Sequence, residues 1–287
     1  MGFSGVDDLK SEIAAGKSSC SYFLHASAQV GTFPAFYNTF IRTSGVPAPN
    51  TLTGTAGVAT SLDRTSTGAI ALNANVSTDT RHVISVSIAP FLTAGNPYQA
   101  ILVDMLLYYP SVVLTGTPTT LDNTVTLPRY TNGKGVMGFF CGQVAGAGAV
   151  QITPTYTDDG GNAGNAGGAL ATSDCSVITE VYHAENDTSA FRASPFIPLA
   201  AGDIGIKKIE SYTIGTGQAT ATGAFFLCKP ILELHFQSHL GIEKNFVTDT
   251  LTLPQIQDGA CLTWLIGGGS ATVASFKFSG SIKYAWG

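Results

Sequence analysis

The sequence AILVDMLLYY at residues 100–109 is apolar almost throughout. An apolar run of this length is consistent with a strand at the centre of a β-sheet, although the pattern alone also admits a short helix. Upstream, residues 82–88 (HVISVSI) alternate in part between polar and apolar side chains, as a half-buried strand does. The two segments together indicate a chain built mainly from strands.

Further strand-like segments follow at a spacing of about ten residues, which is typical of β-sandwiches and jelly rolls. Residues 158–172 (DDGGNAGNAGGALAT) predict a loop, because side chains this small cannot pack a core. We therefore expect a mainly β fold, a jelly-roll-like β-sandwich. The predicted strands are residues 82–88, 100–109, 124–127, 136–140, 150–156, 177–183, 205–213 and 223–236, followed by a terminal hairpin within residues 262–284 around the glycines at 267–269.

One short helix is predicted near the start of the chain. Val6, Leu9 and Ile13 recur at the spacing of one helical face, Ser4 can cap the helix, and Gly16 marks its end. The aromatic-rich stretch that follows is punctuated by glycine and proline, which indicates an extended arm. The expected organisation is a helix and arm over residues 1–72, a jelly-roll-like β-sandwich over 73–240, and a C-terminal extension with a hairpin over 241–287.

Charged residues are scarce, at 11% of the chain, and residues 43–62 and 135–157 carry none. The formal net charge is -5, and the 14 lysines and arginines are spread thinly, which argues against nucleic-acid binding. No run approaches the roughly 18 apolar residues of a membrane span, and the first residues do not resemble a signal peptide. We expect neither nucleic acid nor membrane as a partner, and a role in packing against other proteins.

The five cysteines are an odd number with irregular spacing and no C-x-x-C motif, which argues against a zinc ribbon or a thioredoxin-like site. Cys141 and Cys228 lie within apolar runs, so we expect both to be buried free thiols. Free thiols fit synthesis in a reducing cytoplasm.

No group of residues has the spacing of a catalytic or metal site. His235 and His239 would share one face of a helix, but their surroundings predict a strand. The acidic turn at residues 158–162 lacks the spacing of a calcium loop, and Glu180 and His183 fall on opposite faces of a strand. The sequence therefore predicts no catalytic residue, no cofactor, no metal and no enzyme activity.

Several stretches, in order along nearly the whole chain, resemble a family of tailed-bacteriophage virion structural proteins of the capsid decoration (cement) type. They are residues 6–9 (VDDL) with 16–17 (GK), 75–82 (NVSTDTRH), 127–135 (LPRYTNGKG), 195–203 (PFIPLAAGD), 253–254 (LP) and 258–265 (DGACLTWL).

The resemblance implies a β-rich protein, made in the host cytoplasm, that sits on the capsid surface of the virion and stabilises the head shell. The implied partners are the major capsid protein and copies of the chain itself as a homotrimer. The family has no catalytic residues to carry over. Because aromatic side chains carry much of the contact energy at interfaces, we expect the arm to dock on another subunit. The candidate contact residues are Leu9, Ile13, Tyr22, Phe23, Phe36 and Phe40.

Other functions fit parts of the sequence. A head or tail fibre that binds a receptor is the main alternative, since a jelly roll rich in glycine and threonine also suits a fibre head. A major capsid protein would need a long spine helix. A glycoside hydrolase on a β-sandwich would need two carboxylates across a cleft, and a small-ligand binder would need a polar cluster in a pocket.

Overall fold

The structure, a computed structural model, describes residues 2–25, 35–41, 45–76, 78–90, 97–116, 119–172, 175, 180–184, 194–217, 220–237, 240–249, 252–268 and 277–287. Two helices lie within these ranges, α1 (Val6–Ala14) and α2 (Phe246–Asp249), and a 3₁₀ turn spans Thr39–Ile41. Neither helix has the length and apolar content that crossing a bilayer requires.

The described chain is mainly β, as the sequence predicts, and its strands pair antiparallel in three sheets. In chain order the strands are β1 (Ser18–His25), β2 (Ala35–Asn38), β3 (Gly45–Val46), β4 (Thr60–Ser61), β5 (Arg81–Pro90), β6 (Pro97–Val113), β7 (Thr119–Thr120), β8 (Met137–Val144), β9 (Val150–Asp158), β10 (Asn165–Ala166), β11 (Leu170–Thr172), β12 (Glu180–Val181), β13 (His183–Ala184), β14 (Ile206–Thr216), β15 (Thr222–Gln237), β16 (Ile242–Asn245), β17 (Gln255–Ile256), β18 (Cys261–Gly268) and β19 (Phe278–Trp286).

The largest sheet closes into a ring. Its neighbours run β6, β15, β8, β12, β2 and β18, and β18 pairs again with β6, while β4 adds to one end of β6. Alternate side chains of the ring strands, among them Phe36, Val103, Phe139 and Phe226, form one buried cluster. Because successive side chains of a strand point to opposite faces, this cluster fills the inside of the ring.

The other two sheets pack against the outside of the ring. The first sheet has the order β16, β5, β19, β1, β3, with β17 also on β5, and the second has the order β13, β11, β9, β14, β7, with β10 on β9. Leu102 of β6 belongs to the cluster shared with the first sheet, and Leu106 belongs to the cluster shared with the second. Strand β6 therefore passes through the middle of a layered, sandwich-like molecule.

Helix α1 ends as expected, but it begins differently. Gly16 follows the helix with a φ of 82°, a left-handed conformation that favours glycine. The predicted cap at Ser4 is not present, because Gly5 precedes the first helical residue. The Ser4 amide instead donates a hydrogen bond to the Asp8 carboxylate at 2.9 Å.

Three expectations about chain organisation are wrong. The predicted arm is not a free extension, because β1 pairs with β19 along its whole length and β2 lies within the ring. The two strands near the C-terminus form no hairpin, since β18 pairs with β2 and β6 while β19 pairs with β1 and β5. The boundaries at 72/73 and 240/241 divide no structural unit, because the sheets join strands from all three segments. Residues 124–127 also contain no strand.

One buried ion pair lies on β6 where the two outer clusters meet. Asp104 falls between Leu102 and Leu106 on the same face of the strand and is fully buried. Arg129 donates from Nε and Nη2 to the two Asp104 oxygens at 2.9 and 2.6 Å. The Cys261 amide donates to the same carboxylate at 2.8 Å.

Arg129 also makes two hydrogen bonds to backbone carbonyls. Its Nη1 donates to the Leu62 carbonyl and its Nη2 to the Met105 carbonyl, both at 3.0 Å. Burial acts to lower the pKa of Arg129, but the hydrogen bond and the charge of Asp104 outweigh burial and raise that pKa. The guanidinium therefore stays charged inside the protein.

We expect Asp104→Ala to lower the free energy of unfolding by about 3–5 kcal/mol, because the Arg129 charge would remain buried without its partner. Urea denaturation measures the loss. Asp7→Ala is the control, since it breaks the exposed pair between Asp7 and Lys10 and should change stability little. The double variant Asp104→Leu, Arg129→Met should recover most of the loss. An Asp104→Ala protein as stable as the control would contradict a structural role for the pair.

Candidate interaction surface

Strand β1 presents two different faces, because its side chains alternate between the core and the outside. Phe23 and His25 are buried beneath the first sheet. Cys20, Tyr22 and Leu24 face outward, with 72% of Tyr22 and 41% of Leu24 exposed. A tyrosine exposed to this extent on a regular strand is available for contact with another molecule.

The exposed apolar surface continues onto the neighbouring strand. Val46 of β3 lies directly opposite Leu24 of β1 and is 58% exposed. We call Tyr22, Leu24 and Val46 together the apolar patch. It lies at the β3 end of the first sheet, on the face turned away from the ring.

The other side chains on this face are mostly small and uncharged. In register across the sheet, Tyr22 lies opposite Ser281 of β19, Ser281 opposite Ser87 of β5, and Ser87 opposite Glu243 of β16. The hydroxyls of Ser87 and Ser281 lie 2.9 Å apart in a hydrogen bond. Lys283 is the charged residue beside β1, opposite Cys20. The face thus offers a neutral surface that is apolar at one end.

The outer edge of β1 is open over most of its length. The Trp286 amide donates to the Lys17 carbonyl at 3.2 Å, so odd-numbered residues from 17 onward point their backbone groups toward β19. The even-numbered residues point the other way, where β3 pairs only with Leu24 and His25. Within the described ranges, the backbone groups of Ser18, Cys20 and Tyr22 therefore have no strand beside them.

Four of the six predicted contact residues are core residues of the chain itself. Leu9, Phe23, Phe36 and Phe40 are buried, and the three phenylalanines pack in the clusters inside the ring and beneath the first sheet. The prediction that these four dock on another subunit is wrong, because their surface is already covered by this chain. Of the set, the structure leaves Tyr22 and Ile13 exposed, and they lie on separate elements.

The local sequence does not show that Tyr22 is exposed and Phe23 is buried, because the two are adjacent aromatic residues in one strand. Val46 and Leu24, the other members of the apolar patch, were missed. Their signal was weak, since single exposed valines and leucines are common on protein surfaces. Strand alternation places Leu24 beside Tyr22, but only the register between β1 and β3 shows that Val46 joins them.

Those residues weighed for metal chemistry that the structure describes are not assembled into a site. His235 lies on β15, as the strand prediction requires, and its Nε2 is 2.7 Å from Glu233 Oε1. His239 falls outside the described residues. Across the described ranges, no three His, Cys, Asp or Glu side chains converge on one point.

The acidic turn at residues 158–162 binds its own backbone. Asp158 accepts hydrogen bonds from the amide and the side chain of Asn162, both at 2.8 Å. The turn predicted from the sequence is confirmed.

Glu180 is buried on β12 and accepts a hydrogen bond from Thr172 Oγ1 at 3.2 Å, while Glu185 falls outside the described residues.

The cysteines differ in reactivity because they differ in burial. Cys141 and Cys228 are fully buried, which confirms their prediction, and Cys261 and Cys175 are also buried. Burial raises the pKa of the Cys141, Cys228 and Cys261 thiols well above the usual value. Such thiols stay protonated and unreactive. Cys20 is the partly exposed one, on the same face as the apolar patch.

A polar cleft of about 330 Å³ lies at one end of the first sheet. Arg81 is buried at its base, donates from Nη2 to the Ala74 carbonyl at 2.9 Å and lies 3.5 Å from Asp258. Its guanidinium lies 5.9 Å from the ring centre of Trp286, which is partly exposed, whereas Trp264 is fully buried. The lining residues are Asp79, Thr80, Arg81, Gln255, Ile256, Gln257 and Asp258.

An apolar cleft of about 570 Å³ separates α1 from α2. His82 lines it, with its ring 5.4 Å from that of Phe3 and its Nδ1 3.3 Å from the Leu253 carbonyl oxygen. Burial lowers the pKa of His82. The other lining residues are apolar or glycine, except for the hydroxyl residues Ser4 and Thr252, so the cleft holds no charged side chain.

Comparison with known proteins identifies no family for this chain. No family model and no curated protein sequence matches the chain. A solved structure of the infectious bursal disease virus Gx strain aligns with 93% of this chain and 80% of its own, at 9% identity and a TM-score of 0.20. A crystal structure of the infectious bursal disease virus VP2 subviral particle aligns over the same shares at 8% identity and a TM-score of 0.19. At these TM-scores the likeness supports no statement about function.

We expect a thiol reagent to modify one cysteine per native chain, Cys20, because the other four are buried. Mass spectrometry of the labelled protein checks the count and the position. The Cys20→Ser variant should take up no label until it is unfolded. Rapid labelling of two or more thiols in the native protein would contradict the packing described for the ring.

Proposed function

We propose that the chain is a structural protein of a tailed-phage virion that decorates the head shell and stabilises it by protein–protein contact. The observation that carries the proposal is the neutral outer face of the first sheet, with the apolar patch at one end. The resemblance of the sequence to decoration proteins of phage heads supports the same role. On this proposal the partner is the major capsid protein, and the chain acts by binding without catalysis.

The physical argument is the cost of burying charge. Interface cores are depleted in charged residues and enriched in tyrosine, because an unpaired charge loses its hydration on burial. Tyr22 can lose water over most of its ring and keep its hydroxyl at the rim. Ser281 and Ser87, which lie beside Tyr22 on this face, have small side chains and so let another backbone approach closely. A shell-binding protein needs such a face, since its contacts must hold against outward pressure on the shell.

The test is binding to heads of the source phage from which this protein has been removed. We expect Leu24→Asp to weaken binding by at least about tenfold, since a new carboxylate would be buried at the contact. Ile204→Asp is the matched control: Ile204 is also exposed and apolar, at 57%, but lies outside the patch. Co-sedimentation with heads measures both.

The outcomes separate the possibilities. Binding that is lost in Leu24→Asp and kept in Ile204→Asp supports the patch as the contact. Equal binding by both variants and the unchanged protein would place the contact elsewhere. Absence of binding by the unchanged protein would overturn the decoration role.

A receptor-binding fibre protein is the second candidate, and the polar cleft favours it. Glycan sites commonly combine an aromatic ring with carboxylate, amide and guanidinium groups. Asp258, Gln257 and Arg81 line this cleft, and the ring of Trp286 lies next to Arg81. Binding of glycans on an array, lost in Gln257→Ala, would favour a fibre over a decoration protein.

A further inference from the structure

The open edge of β1 lacks the usual protections of an edge strand. Natural proteins cover such edges, or place lysine, proline or a bulge on them, to prevent pairing with another chain. The β1 sequence SSCSYFLH contains neither lysine nor proline, and its pairing with β19 has no register shift. The unprotected stretch is short, since β3 takes the position beside Leu24 and the turn at Gly16 lies just before the strand.

From this geometry we infer that a second copy of the chain adds its own β1 to this edge, antiparallel, with a twofold axis at Cys20. The free residues are Ser18, Cys20 and Tyr22, spaced two apart. In this register Cys20 lies opposite Cys20 of the partner subunit, and Ser18 lies opposite Tyr22 of the partner subunit. Each such pair exchanges two backbone hydrogen bonds, so all three free residues of both copies are satisfied.

A register centred on any residue other than Cys20 would satisfy fewer of these free backbone groups. Centring the axis between Cys20 and Tyr22 would place Ser18 of one copy opposite Leu24 of the partner subunit, which β3 already occupies. A longer foreign strand would meet β3 in the same way. A second β1 has a matching free length, and this is the first reason for assigning the occupant as a copy of the chain.

Charge is the second reason. The free stretch of β1 is uncharged, so self-pairing brings no like charges into direct contact. Lys283 on β19 and Lys283 of the partner subunit would be separated by three strand spacings, about 14 Å. That distance exceeds the screening length of about 8 Å at physiological ionic strength. The lysines therefore do not oppose the pair.

Pairing would join the first sheets of two copies into one. The twofold axis is perpendicular to the joined sheet, because residues directly opposite in an antiparallel pair share a face. The two apolar patches then lie on one continuous surface. The inference stands on backbone geometry and does not depend on the proposed function. It replaces the homotrimer expected from the resemblance with a twofold dimer.

The first experiment is light scattering of the full chain over a range of concentrations. We expect a mass that approaches twice the 29.7 kDa of the single chain as concentration rises. Tyr22→Pro should leave a monomer, because it removes an amide on the open edge and none that bonds to β19. Tyr22→Phe is the matched control and should remain a dimer. A trimer, a monomer at every concentration, or a dimer that persists in Tyr22→Pro would overturn the inference.

Two further tests address the axis and do not require Tyr22→Pro to fold. Paired Cys20 Cα atoms would lie about 5.5 Å apart with both thiols on one face of the joined sheet, so a short thiol-reactive bismaleimide should link them into a covalent dimer. Cys20→Ser should abolish it. A noncovalent dimer that yields no such cross-link would overturn the register.

Opposite charges at position 20 give the sharper test. Cys20→Lys alone and Cys20→Glu alone should each dimerise severalfold more weakly than the unchanged chain, because the axis sets like charges directly opposite each other. An equimolar mixture of the two variants should restore the dimer, since lysine then faces glutamate. Equal dissociation constants for the mixture and the separate variants would overturn the twofold axis at Cys20.

Discussion

The buried pair of Asp104 and Arg129 fixes strand β6, which contributes to both outer clusters, to a neighbouring loop. Asp104 lies at the middle of β6, with one outer cluster on either side of it along the same face. Its carboxylate requires Arg129 from a loop and the Cys261 amide from β18, and Arg129 in turn requires the carbonyls of Leu62 and Met105. A charge this deep is tolerable only when all of these segments are in place, so the pair couples β6 and β18 of the ring to the segments that carry Leu62 and Arg129.

The packing of the first sheet on the ring determines which of its side chains are left on the surface. The first sheet packs on the outer face of the ring, so its inner side chains, such as Phe23, Val86 and Ile282, are buried in the core. Strand alternation then sends Tyr22 and Leu24 outward without further choice. The candidate contact surface is therefore a consequence of how β1 is held by β19, and the arm expected from the sequence does not exist as a separate element.

Strands with a clear period were predictable, and their partners were not. Residues 82–88, 150–156 and 223–236 fall within β5, β9 and β15, because alternation and apolar runs are local signals. The pairing of β19 with β1 joins opposite ends of the chain, and no local pattern encodes it. The glycines at 267–269 suggested a hairpin that long-range pairing overrides. Asp104, a lone charge in an apolar run, was a readable sign that a buried partner was required.

The scarcity of charge affects the outer face of β1 and its open edge in opposite ways. It makes the outer face suitable for burial, and it also removes the lysines that would keep the edge from pairing at random. Specificity for one register must then come from the short length of the open edge. With β3 beside Leu24 and the turn at Gly16 just before the strand, five residues, Ser18–Tyr22, are left for a neighbour, of which alternate ones carry free groups. A slip of two residues would leave hydrogen-bonding groups unpaired, so a short edge favours one register where a long one would admit several.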